Sequence, residues 1–425
     1  MLKALNIDIH HLTRIEGHGN IHVRVEDGKV REVQWQVPEA PRFFEAMLRG
    51  KSWQDIQTIV CRICGICSFA HSLAAIKAIE DAMGIHISEQ TRRLRILAFE
   101  GEQLESHALH VGYLVLPDLL GVNSVVPLFE SHPDAAAAVV RAHRLGNDWM
   151  ELLGGRRTHP VSFRPGFFAK LPSENDLRDL KTRLENIVPD LKLIAETVGS
   201  LVQKLPNFRR PTEYVALTDG SYAFYDGMIT SSDTLERVPV NEFERVANEY
   251  VTPQSTAKWT RWHTTSYAVG ALARYKLNYS HLHPLAQQIA RQLGLNPDCC
   301  NPYMNSIAQV VEAVEVVEAA LQQIDALLSS GILPEPLRKI RPKAGIGVGA
   351  VEAPRGTLFH KYTLDENGVC TAANVCIPTN QNHANIQKDF EALLPTVMDR
   401  SEAEVRLLLE MLVRAYDPCV SCSTH

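Results

Sequence analysis

Residues 303–329 read YMNSIAQVVEAVEVVEAALQQIDALLS, and the spacing of their apolar side chains sets the class of fold. Ile307, Val310, Val314, Val317, Leu321, Ile324 and Leu328 recur every three or four positions, with Glu312, Glu315, Gln322 and Asp325 elsewhere on the wheel. That is the period of an α-helix. About 25 residues at about 1.5 Å each make a rod of roughly 38 Å. Such a rod needs neighbours along its length, so the expected fold is mainly α with an elongated helical bundle as its body. The stripe itself is core packing.

Outward from this helix, the other segments carry their own signals. Near the N-terminus, Ile21, Val23 and Val25 alternate with His22 and Arg24, and Val33, Trp35 and Val37 with Gln34 and Gln36. With Glu26-Asp27-Gly28 between them, these runs predict a β-hairpin. From about residue 64 the pattern turns helical. One helix opens at the Cys64 cluster and ends at Met83, where Gly84 supplies a left-handed cap, and Ser88 caps the next. A second hairpin is expected over 357–378, turning at Asp365-Glu366-Asn367-Gly368. Ser401 and Glu404 form a capping box for the last helix, which Asp417-Pro418 ends. With no repeat or linker in the sequence, we expect one α+β domain over 1–425, comprising a β-rich part (1–60), a helical body (61–355) and a C-terminal hairpin, helix and tail (356–425). Gly345-Ile346-Gly347-Val348-Gly349 faintly resembles a dinucleotide loop, but no strand–turn–helix with a downstream acid supports that reading.

Apolar residues are 45% of the 425, enough for a sizeable core. A net charge of −6 without a basic cluster argues against nucleic acid. No run of eighteen apolar residues predicts a transmembrane helix, and the start lacks a long apolar leader, so a cytoplasmic location is expected. Nine cysteines in a chain this long suggest metal or redox chemistry rather than a disulfide framework.

Four of them form two pairs, Cys64-Gly65-Ile66-Cys67 and Cys419-Val420-Ser421-Cys422. Thiolates three residues apart can reach one ion at about 2.3 Å. The first pair lies at a predicted helix N-terminus, whose partial positive charge favours thiolate over thiol. Together the pairs offer a four-thiolate site suited to zinc, nickel or iron–sulfur. Spacing alone favours structural zinc. Against it stand the roughly 350 residues between the pairs, the position of the second pair at the chain's end, and the flanking Arg62, His71 and Asp417. A dithiol redox pair would need only one C-x-x-C.

At these residues the chain resembles the large subunits of nickel–iron hydrogenases. Residues 62–71 (RICGICSFAH) are similar to their R-x-C-G-x-C-x-x-x-H signature, and 417–425 (DPCVSCSTH) to their terminal D-P-C-x-x-C-x-x-H. Arg14-Ile15-Glu16-Gly17-His18, Arg42-Phe43-Phe44-Glu45, the segment from His107 through His110 to Asp118, Gly155-Arg156, and Glu352-Ala353-Pro354-Arg355-Gly356 follow the family's order, so the resemblance spans the chain.

The resemblance implies reversible heterolytic cleavage of H2 at a nickel–iron centre whose iron carries carbon monoxide and two cyanides. Cys64 and Cys419 would be terminal nickel thiolates, and Cys67 and Cys422 would bridge to iron. Glu16 would relay the proton, and Arg355 would sit above the metals, held by Asp118 and Asp417. His71 would donate to a bridging sulfur. Val375, Pro378 and Thr379 would line the cyanides. Glu45, the Val375 carbonyl and His425 would hold magnesium or another hard divalent cation. Family members carry a C-terminal extension removed after nickel insertion, so an end at His425 fits a mature chain.

The Arg-Phe-Phe-Glu form and the ending AYDPCVSCSTH look most like the cytoplasmic, multi-subunit, NAD(P)-linked members. Those pair this chain with an iron–sulfur small subunit, joined by diaphorase-type subunits binding flavin and NAD(P). No iron–sulfur or flavin motif is present in this chain, so electrons would leave through the partner; ferredoxin-, deazaflavin- and heterodisulfide-linked types stay open. Two other readings stand beside this one: a zinc-stabilised structural subunit, and a protein like the quinone-side subunit of complex I, which lacks the paired cysteines. Cys61, Cys299, Cys300, Cys370 and Cys376 have no assigned role.

Overall fold

The computed structural model describes residues 5–335 and 339–425. The N-terminal hairpin is present, with Asp27 and Gly28 at φ 50° and 70° in its turn. It pairs β2 (Asn20–Glu26) with β3 (Lys29–Gln36), and β1 (Leu5–Ile9) adds to β2 as a further antiparallel strand. In β1, Leu5, Ile7 and Ile9 face the core and Asn6 and Asp8 face out.

Helices α1 (Ser68–Met83), α2 (Glu89–Leu109), α3 (Pro133–Gly154), α4 (Glu174–Leu201) and α5 (Asn305–Ser330) form the body. α2 packs on α3 and α5, and α4 packs on α3 and α5. The expected caps are there: Gly84 has φ 67°, and Ser88 Oγ accepts from Thr91 N at 2.9 Å. α5 is buried on more than its apolar stripe, since Glu312 and Glu315 are buried too. Glu312 survives inside because Arg274 donates to both its oxygens at 2.7 Å. α2 runs into a π-helical stretch, His110–Val115, and a short helix, Leu116–Leu120, that carries Asp118.

The stretch read as helical also contains strands. Glu213–Thr218, Met228–Ser231, Arg237–Val238 and Tyr267–Ala268 make a four-stranded sheet. Five of the six residues of EYVALT are buried, so no alternation marks it as a strand. The glycine-rich segment is likewise β4 (Gly345–Ala353), which pairs with β5 (Gly356–Leu364); β5 pairs with β6 (Cys370–Cys376) in the expected second hairpin. A Cβ at Gly345, Gly347 or Gly349 would lie 2.0–2.1 Å from the carbonyls of Ala82, Ala78 or Ala74 on α1. The glycines therefore seat a strand directly against a helix backbone and form no nucleotide loop.

α6 (Pro378–Val397) lies on the first sheet, with the Trp35 indole donating to His383 Nδ1 at 2.8 Å. α7 (Glu402–Ala415) starts with both halves of the Ser401–Glu404 capping box. The larger of two buried core clusters among the described residues runs from Leu5 to Cys422. Among the described residues no helix is long and apolar enough to cross a membrane.

Candidate metal centre

Cys67 is the N-cap of α1, and Cys64 lies in the turn before it. After α7, Asp417 takes a positive φ of 49° and redirects the chain, so that Cys419 caps a short helix, Val420–Ser423. Two helix N-termini thereby meet from opposite ends of the sequence. All four sulfurs lie within 4.8 Å of one another and are buried. Cys64 Sγ is 3.5 Å from Cys419 Sγ, Cys67 Sγ is 3.5 Å from Cys422 Sγ, and Cys419 and Cys422 are 2.7 Å apart.

Hydrogen bonds from Cys419, Cys422 and Cys67 hold the Cys64 thiol well below its usual range. Burial pushes Cys419 and Cys422 well above theirs. A dry pocket does not carry four thiolates unless a cation balances them, and soft sulfur donors select a soft metal. The donor set fits a nickel–iron centre.

Around it, Glu16 is bridged to Cys419 in strand fashion, with Val420 N donating to its carbonyl at 3.0 Å. Its carboxylate accepts from Ser421 N at 3.1 Å and from Ser421 Oγ. It pairs with neither Arg14 nor His18, which turn to Asp118 and Glu39. Arg42 ties the two cysteine segments together, donating to the carbonyls of Ile63 and Ser421 at 2.7 and 2.5 Å.

The Arg355 guanidinium is buried and donates to Asp417 Oδ1 at 2.8 Å and Ser106 Oγ at 3.2 Å. Burial opposes its charge, but Asp417 and the neighbouring thiolates outweigh that and keep it cationic. Asp118, expected on the same guanidinium, is elsewhere. Its oxygens take Arg14 at 2.5 Å and Arg414 at 2.7 and 2.9 Å. The helix after the π-turn presents Asp118 to α7 and the N-terminal strap, where two other guanidinium groups reach it.

His71, Arg355, Pro378 and Thr379 line a small enclosed cavity together with Cys67, Cys419 and Cys422. Burial holds the His71 ring down to about 3, so it is neutral. Its Nδ1 pairs with His360 Nε2 at 3.0 Å, and the described hydrogen bonds include none from His71 to sulfur. Thr379 Oγ1 accepts from Cys419 N at 3.0 Å, leaving its own proton to give elsewhere.

On the far side of Cys422, Val375 N donates to Glu45 Oε1 at 2.9 Å, and His425 Nε2 faces the same oxygen at 3.5 Å. Burial raises the Glu45 carboxyl, but the His425 ring and the Lys258 ammonium outweigh it and bring it down to about 2. His425 Nε2 is buried without a hydrogen-bond partner among the described residues, as a metal-ligand nitrogen would be. The pair fits a hard cation.

Residues unmarked in sequence also reach the site. Ser421 lies inside the second C-x-x-C and could have been noticed there. Ser106, Gln309, Lys258 and His360 come from distant elements and carry no local signal. Cys61, Cys299, Cys300, Cys370 and Cys376 stay outside the cluster as free thiols.

Fold and site define a protein with a buried cluster of four cysteine sulfurs able to hold a metal, and a guanidinium beside it. Residues 42–152 and 213–425 match the sequence profile of the family described as nickel-dependent hydrogenase, and residues 6–40 match one described as HoxL-like. The chain is 33% identical to the alpha chain of sulfhydrogenase 1 of Pyrococcus furiosus, over 99% of this chain and 98% of that one. It is 32% identical to the corresponding chain of the vhu F420-non-reducing hydrogenase of Methanocaldococcus jannaschii, over 91% and 97%. In structure it is similar to an NAD+-reducing nickel–iron hydrogenase in the H2-reduced state, with TM-score 0.87, 28% identity and 99% of each chain covered. The chain belongs to the nickel-dependent hydrogenase family, as the large, catalytic subunit that holds the nickel–iron centre.

Proposed function

We propose that this subunit catalyses reversible conversion of H2 to two protons and two electrons at a nickel–iron centre, which Cys64 and Cys419 would hold as terminal nickel ligands and Cys67 and Cys422 would bridge to an iron carrying carbon monoxide and cyanide. The observation that carries this is the gathering of four buried thiols from both ends of the chain beside the Arg355–Asp417 pair. When bound, the centre supplies a soft, electron-rich site for heterolytic H2 cleavage.

The protein's residues do the rest. Arg355, a fixed cation, polarises the space above the thiolates, and Asp417 keeps it aimed. Glu16 takes the proton outward; its bonds to Ser421 hold its carboxylate against the segment that carries Cys419. His71, kept neutral by burial, shapes the cavity with His360 behind it. Thr379 and Pro378 face the same cavity and suit the iron's diatomic ligands, Thr379 as a hydroxyl donor. Glu45, the Val375 carbonyl and His425 would hold a magnesium ion, which would tie the C-terminal tail to the site.

The electrons pass to an iron–sulfur small subunit, and from there to NAD(P) or a similar carrier through diaphorase-type subunits in the cytoplasm, where such carriers are dissolved. Relatives named as sulfhydrogenase and F420-non-reducing hydrogenase, and a structural neighbour named as NAD+-reducing, all support a place in a larger complex. Metal analysis and infrared spectroscopy of the purified complex test the centre. Nickel, iron and magnesium with carbon monoxide and cyanide bands are expected, and zinc alone would end the reading. H2-dependent reduction of NAD+, NADP+, ferredoxin and F420, assayed side by side, identifies the carrier.

A further inference from the structure

A helix begins with four N–H groups that lack intrahelical partners, and the N-cap side chain normally satisfies one of them. α1 begins at the metal centre without that help. Its N-cap is Cys67, whose side chain makes no capping bond and whose sulfur sits 3.5 Å from Cys422 Sγ. The first turn has no acidic residue. The acceptor comes instead from α2: Glu102 Oε2 takes Phe69 N at 2.7 Å and Glu102 Oε1 takes Ala70 N at 3.0 Å. Glu102 is 0% exposed.

We propose that Glu102 is a positioning residue for the metal centre, a cap supplied in trans that frees Cys67 for the metal and fixes the turn carrying Cys64, Cys67 and His71. The inference rests on the nickel–iron reading above. Burial, with the nearby Glu105 and Cys64, pushes the Glu102 carboxyl well above the usual carboxylate range, against the two amides that pull it down. The geometry decides for the anion. Two N–H donors at these distances need two acceptor oxygens, which is carboxylate geometry; a protonated oxygen would point a hydrogen of its own or accept weakly. The positive end of α1 is the charge that offsets the anion in a dry interior. A serine or aspartate at the N-cap would do the ordinary job, but a metal ligand occupies that position. Ionised, Glu102 also places a negative charge near Cys64, which favours the more oxidised state of the metals.

The test uses the whole complex with Glu102→Gln, Glu102→Asp and, as a control, Glu100→Gln. Glu100 is another buried carboxylate on α2, bonded to Gln323 at 2.5 Å and away from α1. In E102Q an NH2 group faces one of the two amides, so hydrogen exchange at residues 69 and 70 should quicken about tenfold or more while the rest of α1 stays protected. Nickel per chain should fall at least by half, and the nickel paramagnetic resonance signal should appear only at a higher midpoint potential. E102D keeps the charge but reaches one amide, so its exchange should quicken while the potential stays near that of the native complex. E100Q should match the native complex in all three. Native exchange, nickel content and potential in E102Q would overturn the proposal, as would the same changes in E100Q, which would mark general loosening of α2. Absence of nickel from the native complex would instead sink the hydrogenase reading, and the exchange data would still judge the cap.

Discussion

Asp417 grips Arg355 at 2.8 Å with one oxygen and takes the Gln309 amide at 3.0 Å with the other. Asp417 stands two residues before Cys419, so the guanidinium is held in register with the sulfurs by the same turn that delivers them.

Arg355→Lys keeps the charge and loses the planar fork that spans Asp417 and Ser106. H2 turnover should fall by about 100-fold or more, with nickel and iron retained. Dye-linked H2 oxidation on metal-quantified enzyme measures this. Turnover near the native rate would reduce Arg355 to a structural ion pair.

Glu16→Gln keeps the shape and one acceptor toward Ser421 but cannot carry a proton. H2 turnover should fall by about 100-fold or more with the metals in place. The folded fraction and metal content should match the native complex, because the backbone bridge to Cys419 is untouched. Normal turnover in this variant would exclude Glu16 from the proton path.

Asp118→Asn separates two roles the sequence had joined. It strips a buried carboxylate from Arg14 and Arg414, a loss that costs about 3–5 kcal/mol where an uncompensated charge is left inside. Thermal unfolding should move down by several degrees, while the rate per bound nickel stays near native. A selective loss of rate at unchanged Tm would return Asp118 to the site.

A hydrogen bond and charge from Glu315 push His283 up to about 9. The folded chain therefore binds this proton more tightly than the unfolded chain, whose histidine titrates near 6.5. The resulting stabilisation is full below about pH 6.5 and disappears as pH rises through about 9. The ring is partly solvated, so the effect is below about 1 kcal/mol. Melting curves from pH 6 to 10 should show this slope, and His283→Gln should flatten it. Equal slopes in the two proteins would mean the proton is not held by the fold.

The elements readable in sequence were those whose signal is local. Ser88 and the Ser401–Glu404 box act within one turn, and the stripe from Ile307 to Leu328 repeats within one helix. The cysteine pairs were readable because a chelate needs its donors close together in the chain. Asp118 misled because a carboxylate can serve any guanidinium, and only the folded chain shows that Arg14 and Arg414 reach it first. EYVALT gave no alternation because both of its faces are covered. The glycines of β4 looked like a ligand loop because the sequence records the missing side chains but not the helix they make room for. Glu102 carries no motif, since its partners are backbone groups 32 and 33 positions away.

Two of the four clustered cysteines, and the residue that braces Glu16, come from 419–422, beyond α7. A nascent chain can fold its N-terminal sheet and much of its bundle early, yet it has no four-sulfur pocket until translation reaches those codons. Loading of the proposed centre therefore waits for the segment that carries Cys419 and Cys422, and a cell short of nickel would accumulate folded but empty subunits.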